Sequence, residues 1–326
     1  MSKKLLFTFV FTAILLTGGY LIYENIIENT EEDDFKRCSE QYPFVSSELD
    51  CGTINEKIGQ VEGIDHEIEN VISQAERSGQ VQQVSVFFRD LNTRRWFGIN
   101  ENVNFYPASL AKLPIAMMFY KTAEVNSNVL KAPLSVTQND LSLNDGEHYK
   151  PKDSLEAEKQ YPLKELLRHL LVYSDNAPVN SLMDASNSFR DAVLSDLGIY
   201  FTPQEDETVG TWNISAKSYA NLFRVLYNSS YLRPEYSNEI LQYLSQSTFD
   251  NGLVSGLPKD TKVAHKFGEI GHTDEKTGEN VTILNDCGII YKKNNPYILC
   301  VMTQGNNFEN LEKIIQTISE KVYISI

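Results

Sequence analysis

The period of the apolar positions changes twice along this chain, and the changes outline a fold. From Val81 to Asn100, "VQQVSVFFRDLNTRRWFGIN", apolar residues alternate at Val84, Val86 and Phe88, break at Asp90-Leu91-Asn92-Thr93, then resume. That is the pattern of an antiparallel hairpin. From Ala108 to about Ser247 the period is helical: "LKELLRHLLVY", "AKSYANLFRVLY" and "NEILQYLSQ" carry apolar residues three and four apart. Strand-like runs return in "TKVAHKFGEI", "ILNDCGIIYK" and "PYILCVMTQG", and "ENLEKIIQTISEKVY" closes the chain as an amphipathic helix. This order predicts an α+β fold: an antiparallel five-stranded sheet built from both chain ends and flanked by helices, with a helical insertion in the middle. No internal repeat or low-complexity segment interrupts it.

The amino end follows a different rule. Lys3 and Lys4 precede an uncharged run from Leu5 to Tyr23, about the length that crosses a bilayer as a helix, with the basic flank on the inside. The rival reading, a cleaved signal peptide, lacks a small-x-small site, and no cysteine there is available for a lipid. The acidic stretch from Glu24 to Asp34 should stay extended and solvated by self-repulsion. The expected layout is a cytoplasmic start (1–4), a membrane anchor (5–23), an acidic tether and lead-in (24–62) and an extracytoplasmic globular domain (63–326).

Composition narrows the partners. With 326 residues, 41% of them hydrophobic, the chain can bury a large core. A net charge of −15, with Lys and Arg scattered, argues against nucleic acid, whose phosphates require a basic face. The four cysteines, Cys38, Cys51, Cys287 and Cys300, show no C-x-x-C spacing, so no metal site is expected. Outside the cytoplasm disulfides are permitted. Cys38 and Cys51 are spaced to close a small loop, while Cys287 and Cys300, on successive strand-like runs, suit either a bridge or two buried thiols.

Candidate chemistry begins at "FYPASLAKLPIAMMFYK", Phe105 to Lys121, where Ser109 and Lys112 stand three apart at the front of a helix-like run. About one such pair is expected by chance in a chain of this length, so the spacing alone carries little. On a helix, however, residues i and i+3 share a face, and a serine nucleophile needs a neighbouring base. Lys112 can serve if burial and nearby positive charge lower its pKa. Ser109 at a helix start also places a developing oxyanion near free backbone N–H groups. Pro114 suits that placement. Ser174, Asp175 and Asn176 sit at a break between helical runs, where a polar triplet is usually a cap. Lys266 lies on a strand, followed by Phe267 and Gly268.

In this order the three pieces resemble the S-x-x-K, S-D-N and K-T-G elements of the active-site-serine penicillin-recognising family, the class A β-lactamases and penicillin-binding peptidases. The resemblance runs from about Ile64 to Tyr323, and Tyr173 to Asn180 looks like the class A version. It implies a β-lactamase/transpeptidase-like fold and a serine hydrolase without cofactor, acting on a β-lactam or a peptidoglycan stem peptide. Ser109 would be the acylated nucleophile, Lys112 a proton acceptor, and Ser174 a relay to the leaving nitrogen. Asn176 would hold the substrate amide, Lys266 and Gly268 would belong to the substrate-binding strand, and the N–H groups of Ser109 and Glu269 would form the oxyanion hole.

The pattern also has gaps. Phe267 stands where the family places a hydroxyl that helps bind the substrate carboxylate, and Glu269 where a small residue is usual, so that its charge would repel an anionic substrate unless it turns away. The segment Leu197 to Ile214 lacks the Glu-x-x-x-Asn pattern used in deacylation, leaving Glu205 and Glu207 as candidate bases. Asn180, the usual partner of that loop, is present. A literal Lys276-Thr277-Gly278 lies between acidic residues without strand alternation and is expected to be a turn. Two alternatives to rapid hydrolysis stay open: a D,D-peptidase with slow deacylation, and a non-catalytic binding module.

Overall fold

Strand β1 (Gln83–Asp90) is buried at almost every position because both of its faces are covered. Val84, Val86 and Phe88 enter one core, and Phe87 on the opposite face enters another. The period-2 pattern thus marks a strand lying between two apolar layers. The computed structural model describes Phe44 and residues 63–186, 189–199, 213–273, 278 and 280–326. The run from Leu5 to Tyr23, the tether and lead-in apart from Phe44, Cys38 and Cys51, and Glu205 and Glu207 lie outside them. No helix among the described residues is long and apolar enough to cross a membrane.

From β1 onwards the elements follow the expected order, and a helix not expected from the sequence precedes them. Helix α1 (Ile64–Arg77) precedes β1 and β2 (Trp96–Ile99), and the short β3 (Asn104–Phe105) leads to a 3-10 turn at Ala108–Ala111. The helical region holds α2 (Lys112–Ala123), β4 (Pro133–Ser135), α3 (Gln138–Ser142), β5 (Gln160–Pro162), α4 (Leu163–Val172), α5 (Val179–Ser186) and α6 (Arg190–Asp196). It continues through β6 (Ile214–Ser215), α7 (Ala216–Tyr227) and α8 (Pro234–Leu244). Strands β7 (Val263–Thr273), β8 (Asn280–Ile290) and β9 (Tyr297–Gly305) then complete the sheet, and α9 (Phe308–Ser325) ends the chain.

The sheet has five antiparallel strands in the order β2-β1-β9-β8-β7, so the amino-terminal hairpin joins the carboxy-terminal strands through β1 and β9. One face packs on α1 and α9 through Ile68, Ile72, Ile315 and Ile318, and the helical insertion covers the other. Two short ladders, β3 with β6 and β4 with β5, were not evident in the sequence. At two or three residues each they are too short to show an alternation. Register places Cys287 directly opposite Cys300, and the two form a disulfide. Strand β7 is left at the edge of the sheet, against the turn that carries Ser109.

Candidate active site

Ser109 sits in the 3-10 turn that precedes α2, behind Ala108, whose φ of 49° is unusual for a residue with a Cβ. Lys112 opens α2, and Pro114 falls in its first turn, where a missing N–H costs nothing. The i to i+3 relation holds in space: Lys112 Nζ lies 2.7 Å from Ser109 Oγ. The amine is fully enclosed and also reaches Ser174 O at 2.5 Å, Asn176 Oδ1 at 2.5 Å and Ser174 Oγ at 3.3 Å. Burial lowers its pKa to about 8, against the pull of Glu147, Asp175 and Glu269 towards the charged form. A neutral amine is therefore within reach near physiological pH.

The break after α4 brings the second piece. Ser174 has a φ of 55°, a left-handed conformation that turns the chain sharply before α5. Its hydroxyl accepts a hydrogen bond from Lys266 Nζ at 2.8 Å, so Ser174 bridges the two lysines. Asp175 is a structural anchor: its carboxylate accepts from Asn144 Nδ2 at 2.7 Å and from the Ala177 amide at 2.9 Å, with the His169 ring 3.3 Å away. Burial pushes this carboxyl up, but His169, Asn144 and Ala177 outweigh it and hold the pKa below its ordinary value. The triplet is more than a cap: Asp175 makes the local bond to the Ala177 amide, while Ser174 and Asn176 reach Lys112.

Strand β7 supplies the third piece. A lysine on an edge strand is ordinarily solvated, yet Lys266 is 1% exposed. Burial first, and then the charge of Lys112, hold its pKa well below the ordinary value, against Asp286 and Glu147. Gly268 lies where β7 meets the 3-10 turn, and a Cβ there would stand 2.4 Å from the Pro107 carbonyl oxygen and 3.0 Å from the Ser109 nitrogen. The close approach of the strand to the Ser109 turn therefore requires glycine. Phe267 turns into an aromatic cluster, stacked on Phe249 at 4.1 Å and edge-on to Tyr149 at 5.8 Å.

Glu269 does turn aside. Its Oε1 accepts hydrogen bonds from the amides of His148 at 2.6 Å and Tyr149 at 3.0 Å, which ties the loop between α3 and β5 across the edge of β7. Burial pushes this carboxyl up to about 7, and the neighbouring Glu147 carboxylate adds to the shift although the Tyr149 and His148 amides oppose it. Glu147 accepts from Asn176 Nδ2 at 2.6 Å. A cleft of about 270 Å³ opens in front of Ser109, lined also by Lys112, Glu147, Asn176 and Glu269.

The model of the "Beta-lactamase enzyme family" matches residues 56–326, most of the chain. This chain belongs to the beta-lactamase enzyme family. Solved structures with the same fold include PBP-A, at 19% identity and a TM-score of 0.68 over 83% of this chain and 97% of that one. A beta-lactamase from Chitinophaga pinensis aligns at 18% identity and TM-score 0.67, over 80% and 98% of the two chains. A class A beta-lactamase from Mycobacterium abscessus aligns at 17% and 0.66, over 81% and 99%. Among curated proteins none matches. At these identities the likeness to solved structures is one of fold.

Within this beta-lactamase-family domain, Asn180 is paired with Asp140. Its Nδ2 donates to Asp140 Oδ1 at 2.8 Å. Burial pushes the Asp140 carboxyl up, but hydrogen bonds from the Thr137 amide, the Asn180 side chain and the Thr137 hydroxyl prevail and keep its pKa low. The literal Lys276-Thr277-Gly278 falls between β7 and β8; only Gly278 is among the described residues, with a φ of 71° that suits a turn. Among the described residues no cluster of three or more His, Cys, Asp or Glu side chains is placed to hold a metal ion. Sequence reasoning missed Glu147, Asn144, Asp140 and the His148–Tyr149 amides. Acidic and amide residues in "DLSLNDGEHY" have the composition of a solvated loop, and no spacing rule marks them.

Proposed function

We propose that this chain is a membrane-anchored serine acyl hydrolase acting outside the cytoplasm, forming an ester at Ser109 with β-lactams, with D-alanyl peptidoglycan stems, or with both. One observation carries the reading: the buried Lys112 amine lies 2.7 Å from Ser109 Oγ and shares Ser174 Oγ with Lys266. As Ser109 Oγ attacks an acyl carbon, its proton passes to the neutral Lys112 amine. It then travels through the Ser174 hydroxyl to the leaving nitrogen or oxygen. Gly268 keeps β7 against the nucleophile, so that the Ser109 and Glu269 N–H groups can receive the oxyanion. A PBP-A variant with this fold, 19% identical, was solved as an acyl-enzyme complex with penicillin G, which supports a β-lactam as one acyl donor. The anchor at 5–23 and the tether at 24–62 would hold the domain near the cell wall.

The absence of the Glu-x-x-x-Asn pattern between Leu197 and Ile214 favours the slow-deacylating, peptidase-like version of this reading. Intact-mass measurement of the purified full-length chain after mixing with a penicillin tests the proposal. A covalent adduct on the native chain that is absent from Ser109→Ala is the expected result. No adduct and no penicillin hydrolysis at any penicillin concentration would favour the non-catalytic module.

A further inference from the structure

A second cleft, of about 500 Å³, opens between β1, the end of α6 and α7, and none of its lining residues lines the Ser109 cleft. Three cations from distant parts of the chain converge on it: Arg89 from β1, and Lys217 and Arg224 from α7. In a chain with a net charge of −15, such a gathering needs a cause. Among the described residues no carboxylate lines the cleft and none of the three cations forms an ion pair. The Glu101 carboxylate accepts from the neighbouring Asn102 side chain at 2.9 Å instead. The contacts that the cations do make place them without neutralising them. Lys217 Nζ lies 4.7 Å from the centre of the Trp96 ring, and Arg224 Nε donates to Asn221 Oδ1 at 2.8 Å. Burial first, and then the charges of Arg224 and Arg94, lowers the Arg89 pKa, so guanidinium groups repel one another in a partly desolvated place. Neutral donors stand among the charges. Asn221 keeps its amide NH₂ to donate, and Ser218 Oγ accepts from Ser215 at 3.1 Å, which leaves the Ser218 proton to donate as well.

We propose that this cleft binds an organic phosphate, with Arg89, Lys217 and Arg224 on the phosphate and Asn102, Ser218 and Asn221 on a hydroxyl-bearing remainder. The site stands apart from the serine chemistry. Planar guanidinium forks match phosphate oxygens bidentately, and a phosphate offers more charge and more acceptor oxygens to three cations than a carboxylate does. Lys217 and Ser218 lie in the first turn of α7, whose positive end adds to the attraction. The volume falls in the range of small-molecule sites and exceeds what one inorganic ion fills, so the phosphate carries a polar remainder. Two sources share this chemistry, a free phosphomonoester and a phosphodiester chain.

The test titrates the full-length chain at low salt, by calorimetry, with glycerol 3-phosphate as the monoester and glycerophosphoglycerol as the diester. Acetate and glycerol are the controls. Trp96 fluorescence gives a second readout, because Lys217 lies over its ring; Trp212→Phe removes the other tryptophan of the chain. At least one phosphate should bind about tenfold or more tighter than acetate, with no binding of glycerol, and about 0.5 M salt should weaken it. The tighter phosphate identifies the source. Arg89→Gln, Lys217→Gln and Arg224→Gln should each weaken binding by about tenfold or more. Should an arginine variant fold poorly by circular dichroism, the exposed Lys217 and the wild-type ratio of phosphate to acetate still decide. Neither phosphate binding, acetate binding as tightly as phosphate, or phosphate binding unchanged in all three variants overturns the inference. So does phosphate binding that emerges only when Glu205→Gln, Asp206→Asn and Glu207→Gln are combined, since the chain's own carboxylates then satisfy the cations.

Discussion

Gly268 and Ser109 approach so closely that a β-carbon on the glycine would stand 3.0 Å from the serine nitrogen. The same atom would collide with the Pro107 carbonyl oxygen at 2.4 Å. Neither neighbour is a flexible side chain, so relief requires β7 and the 3-10 turn to separate. Gly268→Ala should therefore lower Ser109 acylation by about a hundredfold, the usual worth of a misplaced oxyanion donor. Acylation rates paired with circular dichroism check this; a folded variant that acylates at the native rate would contradict it.

Lys112 ties reactivity to pH. With its pKa lowered to about 8 by burial, the amine gains its neutral form as pH rises through that value. Ser109 acylation should climb correspondingly between about pH 6 and 9. Lys112→Ala should slow acylation by roughly 10²–10⁴ and flatten the profile. Labelling kinetics across pH measure both effects.

Glu269 ties stability to pH in the opposite sense. Its folded-state pKa of about 7 is raised above the ordinary 4.5, by burial first and then by Glu147, so the folded chain holds this proton more tightly than the unfolded chain. The stability this contributes is present below about pH 4.5 and is lost as pH rises to about 7. Glu269→Gln keeps an acceptor for the His148 and Tyr149 amides but has no proton to lose. Its Tm relative to wild type should increase between pH 5 and 8, measured by thermal unfolding in matched buffers.

Restoring the missing hydroxyl at position 267 should harm the fold. Phe267 is 4% exposed and stacked on Phe249. Removing a buried phenyl ring costs about 3–5 kcal/mol, whereas a new hydrogen bond to a charged group returns about 1.5–3 kcal/mol. Phe267→Thr should lower the denaturant midpoint whatever it does to labelling.

The ester at Ser109 should persist. Water attack without a positioned base loses roughly 10²–10⁴ in rate, and the Glu-x-x-x-Asn pattern is missing between Leu197 and Ile214. An adduct lasting minutes or longer is expected in stopped-flow mixing followed by mass spectrometry. Rapid turnover with no accumulated adduct would point to a carboxylate base, and separate Glu147→Gln, Glu205→Gln and Glu207→Gln variants would identify it by trapping the ester.

Residue spacing alone determined the plan of this protein. Alternation at Val84, Val86 and Phe88 marked β1, and the i to i+3 step joined Ser109 to Lys112, because helix and strand periods are local properties that a sequence displays directly. The order of the three motifs, with the strands and helices between them, was enough to indicate the sheet built from both chain ends. Tertiary structure decided the character of the site. Lys266, a solvated edge charge by local rules, is buried where Ser174, 92 residues away, accepts its hydrogen bond. Cys287 and Cys300 are bridged because the β8–β9 register sets them face to face. Glu269 becomes a tether because it meets backbone amides 120 and 121 residues earlier, and Glu147 enters the cleft on that same loop. Backbone amides are the same in every residue but proline, and a loop carboxylate has no period, so such partners become visible only when folding brings distant segments together and removes the water between them.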